Sequence, residues 1–173
     1  MRPRGKNLAG ILLERDYQDL ELWYPYYRLK EAGFSVELLA PEKKTYPGKY
    51  GYPAQADRTI KEAKPGDYEI LVIPGGFAPD YLRRHPPAIE FARAVYKNGG
   101  LLAAICHGPW ILASADLLKG KKATCFSAIA PDIKNSGAKY EDSEVTVDGR
   151  IITSRKPEDL PAFCRAILRA LGA

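Results

Sequence analysis

A cysteine near the middle of the chain has the neighbours of an enzyme nucleophile. Cys106 follows the apolar run 101–105 and precedes His107, Gly108 and Pro109. An apolar strand, a sharp turn and a helix beginning at proline would place the thiol at a helix N-terminus. The free N–H groups and partial positive charge there lower the pKa of a thiol and raise its thiolate fraction. The pattern favours a catalytic cysteine; the alternative is a small buried residue that only packs.

Two other parts of the sequence carry groups that could assist a thiolate. Gly75 and Gly76 follow the apolar stretch 69–73, and residues without side chains leave their N–H groups open to a carbonyl oxygen. An ordinary turn is the alternative for this pair. Glu21 is flanked by two leucines and a tryptophan, and such surroundings favour a neutral carboxyl that could donate a hydrogen bond to sulfur. A solvated glutamate on a helix face is the alternative there.

The histidine and the remaining cysteines are weaker candidates. Adjacent side chains often point apart, so His107 need not be the base for the neighbouring thiol, and a capping or packing role is the alternative. The three cysteines are widely spaced and fit neither a paired zinc site nor a disulfide framework. We therefore expect reduced thiols, no bound metal, and structural roles for Cys125 and Cys164.

Strand and helix patterns alternate along the chain and must position these groups. The predicted strands are 8–13, 34–39, 69–73, 101–105 and 123–126, followed by a hairpin with 145–147 and 151–153 around Asp148-Gly149. The predicted helices are 19–32, 79–84, 87–98, 109–118 and 157–171, with short strands and loops over 41–57. Alternation of this kind predicts an α/β fold, with a mostly parallel sheet and helices on both faces. Ligand sites in such sheets lie beyond the carboxyl ends of the strands, where Cys106 and the glycine pair fall.

Composition narrows the class of protein. The 173 residues, 46% hydrophobic and 27% charged, predict one globular domain spanning 1–173. Although the net charge is +5, basic residues are interspersed with acids, so nucleic acid is not expected as the primary partner. No apolar run reaches the roughly 18–20 residues that a membrane span needs. The positive start at 2–6 precedes an apolar stretch of only 8–13, so we expect no signal peptide and, by default, a cytoplasmic protein.

Several motifs, in order, resemble the PfpI-type intracellular protease and deglycase family of the ThiJ/PfpI (parkinsonism-associated deglycase) superfamily. The resemblance covers nearly the whole chain, and its motifs lie at 19–25, 72–83, 104–109, 153–155 and 159–163. It implies a flavodoxin-like three-layer sandwich of the class I glutamine amidotransferase type, with no metal or organic cofactor. It also implies that Cys106 is the nucleophile, that Glu21 contacts its sulfur, and that Gly75, Gly76 and the His107 N–H are oxyanion donors.

The same resemblance implies that the protein self-associates as a dimer or higher oligomer. In protease-like members the histidine after the cysteine pairs with an acidic residue of a neighbouring subunit, a position that falls on Asp80. Some members have the longer glutamate there, whereas Asp80 has a shorter side chain. Gln18 stands where relatives often have glutamate, and Phe126 stands where some have a tyrosine.

Three functions are compatible with these residues. The first is a glyoxalase III or protein deglycase acting on methylglyoxal, glyoxal and their adducts. The second is an intracellular cysteine peptidase, active on small peptides, with an intersubunit triad of Cys106, His107 and Asp80. The third is a redox-sensing stress protein or chaperone in which Cys106 is oxidised without turnover.

Overall fold

Eleven strands and six α-helices occur in residues 7–173, the part of the chain that the computed structural model describes. The strands are β1 (Leu8–Leu12), β2 (Ser35–Ala40), β3 (Thr45–Pro47), β4 (Pro53–Gln55), β5 (Arg58–Thr59), β6 (Ile70–Ile73), β7 (Leu101–Ile105), β8 (Lys122–Ala123), β9 (Lys139–Tyr140), β10 (Val145–Asp148) and β11 (Ile151–Ser154). The helices are α1 (Asp19–Glu31), α2 (Ala78–Arg83), α3 (Pro86–Lys97), α4 (Pro109–Ser114), α5 (Ala130–Asn135) and α6 (Leu160–Leu171).

Seven of the strands form one central sheet in the order β10-β11-β7-β6-β1-β2-β5. All neighbours are parallel except β10 and β11, which pair antiparallel. The central strands β6 and β7 are buried along their whole length, because helices cover both faces. The predicted α/β class, a mostly parallel sheet of flavodoxin-like type, is confirmed.

Two cores flank the sheet and make three layers. Side chains along β6 alternate, so that Ile70 and Val72 belong to one core and Leu71 and Ile73 to the other. The first core is closed by α1 and α6, and the second by α2, α3, α4 and α5. The carboxyl ends of β1, β6 and β7 therefore open at one edge, between the two layers of helices.

Several local predictions differ from the structure. Helix α4 ends at Ser114 instead of residue 118, because the chain turns at Asp116, whose φ is +57°. The predicted strand 123–126 is reduced to β8, since the N–H groups of Thr124 and Phe126 donate outside the ladder, to the Thr153 hydroxyl and a backbone carbonyl. Helix α5 is a single short segment that the sequence patterns missed.

The hairpin near the C-terminal end is shifted by one residue from the prediction. Asp148 pairs with Ile151, so the two-residue loop is Gly149-Arg150. Asp148 stays in the ladder, where its carboxylate accepts the Lys122 N–H at 2.9 Å. The left-handed φ of +59° falls on Gly149, as such loops require.

No helix within residues 7–173 combines the length and apolar character needed to cross a membrane. The basic segment 2–6, on which the signal-peptide prediction partly depends, lies outside the described residues.

Candidate active site

Cys106 occupies a strained turn between β7 and α4. Its φ is +64°, a left-handed conformation that costs a residue with a side chain about 1–3 kcal/mol. Backbone hydrogen bonds hold the turn, since Cys106 N–H donates to the Ser154 carbonyl and the Cys106 carbonyl accepts from Phe126 N–H, both at 3.0 Å. Gly108 is required here because a Cβ would lie 2.2 Å from the Ile73 carbonyl oxygen. These features form a nucleophile elbow.

The sulfur of Cys106 lies in a nest of backbone donors. The N–H groups of Gly76 and His107 donate to it, and the residue is only 7% exposed. Gly75 lies so close that a Cβ there would be 2.6 Å from both Cys106 Cβ and Glu21 Oε2. The glycine pair is thus needed for close approach. However, Gly75 N–H donates to Glu21 Oε2 at 2.7 Å, so it is not open to an oxyanion as predicted.

Glu21 brings a carboxyl group from α1 to the thiol. It is completely buried, its Oε2 accepts the Gly75 N–H at 2.7 Å, and the Cys106 side chain is close enough to lower its pKa. Its Oε1 has no hydrogen-bond partner among the described residues. Burial raises the pKa of this carboxyl to about 8, more than these two contacts lower it. The neutral form therefore predominates at pH 7, in the direction that the apolar flanks of Glu21 predicted.

The thiol itself differs from the sequence-based expectation. Burial, and secondarily the negative charge of Glu21, raises the pKa of Cys106 above its ordinary value, although the Gly76 and His107 N–H groups oppose this. The expected lowering by a helix N-terminus was wrong for the resting site. Helix α4 has only six residues, and the loss of hydration on burial is the largest influence on the pKa of the thiol. Forming the thiolate requires a nearby group that accepts the proton.

His107 is such a group, because its side chain turns back onto the sulfur. Its Nδ1 lies 3.1 Å from Cys106 Sγ. The ring stacks on Phe126, with centroids 5.2 Å apart, and meets the edge of Trp110. Burial, followed by the positive charge of Lys49, lowers the pKa of His107, so the imidazole is neutral at pH 7. The caution that adjacent side chains point apart did not anticipate this contact, which the left-handed turn permits.

Asp80 is not brought to the thiol within one chain. It lies on α2, where it is exposed and pairs with Arg84 at 3.2 Å. Gln18 acts as the cap of α1, and its side-chain oxygen accepts the Glu21 N–H at 3.1 Å. Gln18 thus helps to set the position of the helix turn that carries Glu21.

A cavity of about 360 Å³ opens above the thiol. Its lining contains residues that the sequence patterns missed, from the loop between β3 and β4 and from the segment after β11. The described residues around it are Gln18, Glu21, Lys49, Tyr50, Gly76, Phe77, Cys106, His107, Phe126, Lys156, Pro157 and Glu158. The loop is held in place because Lys49 N–H donates to the Tyr17 carbonyl and the Asp19 carboxylate accepts the Tyr50 N–H.

The other two cysteines do not line this cavity. Cys125 and Cys164 are free and buried, and burial raises the pKa of each to about 12, so both stay protonated and unreactive. Within residues 7–173 no group of three or more histidine, cysteine, aspartate or glutamate side chains is arranged to hold a metal ion.

The sheet topology and the left-handed thiol turn define a flavodoxin-like α/β protein with a nucleophile elbow. Residues 8–170 match the model of the DJ-1/PfpI family, and the chain belongs to that family. Deglycase PfpI of Pyrococcus furiosus is 43% identical over 161 residues, covering 93% of this chain and 97% of that protein. YraA of Bacillus subtilis, named as a candidate cysteine protease, is 42% identical over 168 residues, covering 96% and 99% of the two chains.

A solved structure gives the same fold. It is from Anabaena variabilis and is described as a two-domain protein containing DJ-1/ThiJ/PfpI-like and ferritin-like domains. The match has a TM-score of 0.94 and 46% identity, and it covers 95% of this chain and 48% of that chain. The predicted membership of the PfpI family is confirmed by these comparisons.

Proposed function

We propose that this protein is a cysteine-dependent deglycase with glyoxalase III chemistry, acting on methylglyoxal, glyoxal and their adducts. The observation that carries the proposal is the contact of Cys106 Sγ with a neutral imidazole at 3.1 Å, beside a buried carboxyl whose pKa is about 8. The likeness to a relative named a deglycase supports this choice of substrate class.

In the first step the thiol proton passes to His107 Nδ1, and the sulfur attacks the aldehyde carbon or the aminocarbinol carbon of an adduct. With an aldehyde, the carbon–oxygen double bond becomes a single bond, and the oxygen takes the proton held by His107 to give a hemithioacetal. With an aminocarbinol, the carbon–nitrogen bond breaks as the carbon–sulfur bond forms, and the amine leaves with the proton held by His107. The substrate oxygen takes over the N–H groups of Gly76 and His107, which donate to sulfur in the resting site. One such donor is worth roughly 10²–10³-fold in rate.

In the second step Glu21 moves a proton. With a pKa of about 8, Glu21 changes protonation state close to neutral pH, so it accepts the proton from the sulfur-bearing carbon and returns it to the neighbouring carbon, while the hydroxyl proton of the first carbon passes to the oxygen of the second. The aldehyde carbon is oxidised and the adjacent carbonyl reduced, so no external oxidant is needed. Water then hydrolyses the thioester and releases lactate or glycolate. General acid–base assistance of this kind contributes ~10²–10⁴-fold.

The direct test is lactate formation from methylglyoxal by the wild type and by Cys106→Ala and Glu21→Gln. We expect turnover by the wild type, its loss in Cys106→Ala, and a fall of roughly 10²-fold or more in Glu21→Gln. Cys125→Ala, which removes a thiol outside the cavity, is the control and should retain turnover. A blank wild-type assay on methylglyoxal and on its amino-acid adducts would reject the proposal. Selective oxidation of Cys106 by dilute peroxide without turnover would instead support a redox sensor.

A peptidase is the second candidate, because the Cys106–His107 contact is also the pair that a cysteine protease requires. The third member would be Asp80 of a neighbouring subunit, whose carboxyl is 56% exposed on α2. This function predicts cleavage of a fluorogenic peptide that disappears on dilution to the monomer and in Asp80→Asn. Cleavage that survives both changes would exclude the intersubunit triad.

A further inference from the structure

Two lysines flank the mouth of the active-site cavity. Lys49, from the loop between β3 and β4, and Lys156, after β11, both line it and are exposed. Neither takes part in the ion pairs formed among residues 7–173. The Lys49 ammonium lies 5.5 Å from the ring centre of Tyr50 and 5.7 Å from that of Phe77, so two aromatic rings flank it at the cavity edge.

The charge of Lys49 reaches the chemical centre of the site. It lowers the pKa of both His107 and Glu21, although burial is the largest influence on each. A cation that acts on both of these groups also acts on a substrate bound between them and the cavity mouth.

The acids of the cavity do not cancel this charge. Among the described lining residues the carboxyl groups are those of Glu21, which is largely neutral at pH 7, and Glu158, which is exposed. Two lysines against one exposed glutamate leave the mouth with a net positive charge. At about 360 Å³ the cavity has room for one modified amino acid or a thiol acid of similar size.

On the basis of the proposed function, we infer that Lys49 and Lys156 give the site a preference for small adducts that carry a carboxylate close to the reacting carbon. The lysines are binding and specificity residues and take no part in the bond changes. For a hemithioacetal, the bond from carbon to Cys106 sulfur forms, the bond to the leaving thiol breaks, and that thiol departs with the proton from His107.

A matched pair of substrates isolates the charge. Methylglyoxal forms hemithioacetals with N-acetylcysteine and with N-acetylcysteine amide, which differ in a carboxylate against a carboxamide. We expect the wild-type kcat/KM to be higher for the acid than for the amide, by roughly two- to fivefold for each lysine. This factor corresponds to the free energy of an exposed ion pair, and the difference should appear in KM. The ratio of the two kcat/KM values should fall in Lys49→Gln and in Lys156→Gln and approach one in the double variant.

Taking the ratio removes secondary effects of the substitutions. Any change in the ionisation of Cys106, Glu21 or His107 affects both substrates alike at one pH. Lys97→Gln, on the exposed end of α3, is the control and should leave the ratio as in the wild type. Glu158→Gln removes the opposing charge and should raise the ratio, while added salt should lower it in the wild type.

Equal kcat/KM values for the two adducts in the wild type would overturn the inference while leaving the proposed function intact. A preference that persists in the double lysine variant, or one unchanged in Glu158→Gln, would also overturn it. If the wild type turns over free methylglyoxal but neither adduct, the inference fails and the proposed function stands. If it turns over none of the three, the proposed function fails and the inference fails with it.

Discussion

Replacing Glu21 by glutamine tests whether the buried carboxyl holds a proton in the folded protein. Glutamine has the same shape, keeps an oxygen for Gly75 N–H, and offers N–H donors to Cys106 where a neutral carboxyl would offer its O–H. The fold should therefore tolerate the change, while the titration of this position disappears.

The size and sign of the effect follow from the shift in pKa. Burial raises the pKa of Glu21 from 4.5 to about 8, so the folded protein binds this proton more tightly than the unfolded chain does. Stability from Glu21 is fully present below pH 4.5 and is lost as the pH rises towards 8 and through it. Each pKa unit corresponds to about 1.4 kcal/mol in the free energy of unfolding, so the full shift from 4.5 to about 8 amounts to about 5 kcal/mol.

The measurement is the free energy of unfolding in urea, for wild type and Glu21→Gln, at intervals between pH 5 and 9. Wild-type stability should fall relative to the variant by up to about 1.4 kcal/mol per pH unit and level off above pH 8. Glu158→Gln, which removes an exposed carboxylate from the same cavity, controls for the change in charge. Parallel curves for wild type and Glu21→Gln would refute a folded-state proton on this group.

Two further substitutions probe the geometry of the elbow. Gly75→Ala places a Cβ 2.6 Å from Glu21 Oε2 and Cys106 Cβ. We therefore expect turnover of methylglyoxal to fall roughly 10²-fold, while circular dichroism still reports a folded chain. Retained turnover would show that the glycine is not needed for close approach. Cys106→Gly should be more stable than Cys106→Ala by about 1 kcal/mol in urea unfolding, because glycine adopts the φ of +64° without strain. A higher free energy of unfolding for the alanine variant would contradict this.

Much of the fold could be predicted because the decisive signals are local. The continuous apolar runs of β6 and β7 mark strands buried on both faces, and the abrupt change to Gly75 or Cys106 marks where each strand ends. The predicted positions of helix ends were less accurate where a single backbone dihedral angle decides them, as at Asp116 beyond α4. Such a turn leaves little trace in composition.

The candidate site was only partly predictable, because its properties depend on distant segments. The pKa of Cys106 is set by burial under several elements, whereas its sequence neighbours indicated a helix end that favours the thiolate. The contact of His107 with sulfur depends on the backbone turn before it. Lys49 and Lys156 are separated by more than a hundred residues and lie in segments without helix or strand periodicity. Nothing in the sequence pattern therefore indicated that they lie at the same cavity.

The hydrogen bond from Cys106 N–H to the Ser154 carbonyl ties the thiol turn to β11, while Glu21 and Gly76 act on the thiol from α1 and the end of β6. Residues so far apart in sequence meet only when the sheet is complete. An unfinished chain consequently carries an ordinary, unassisted thiol. Under the proposed function, catalytic competence is a late event in folding, and the recovery of activity during refolding would report the docking of the last strand more directly than the recovery of helix content.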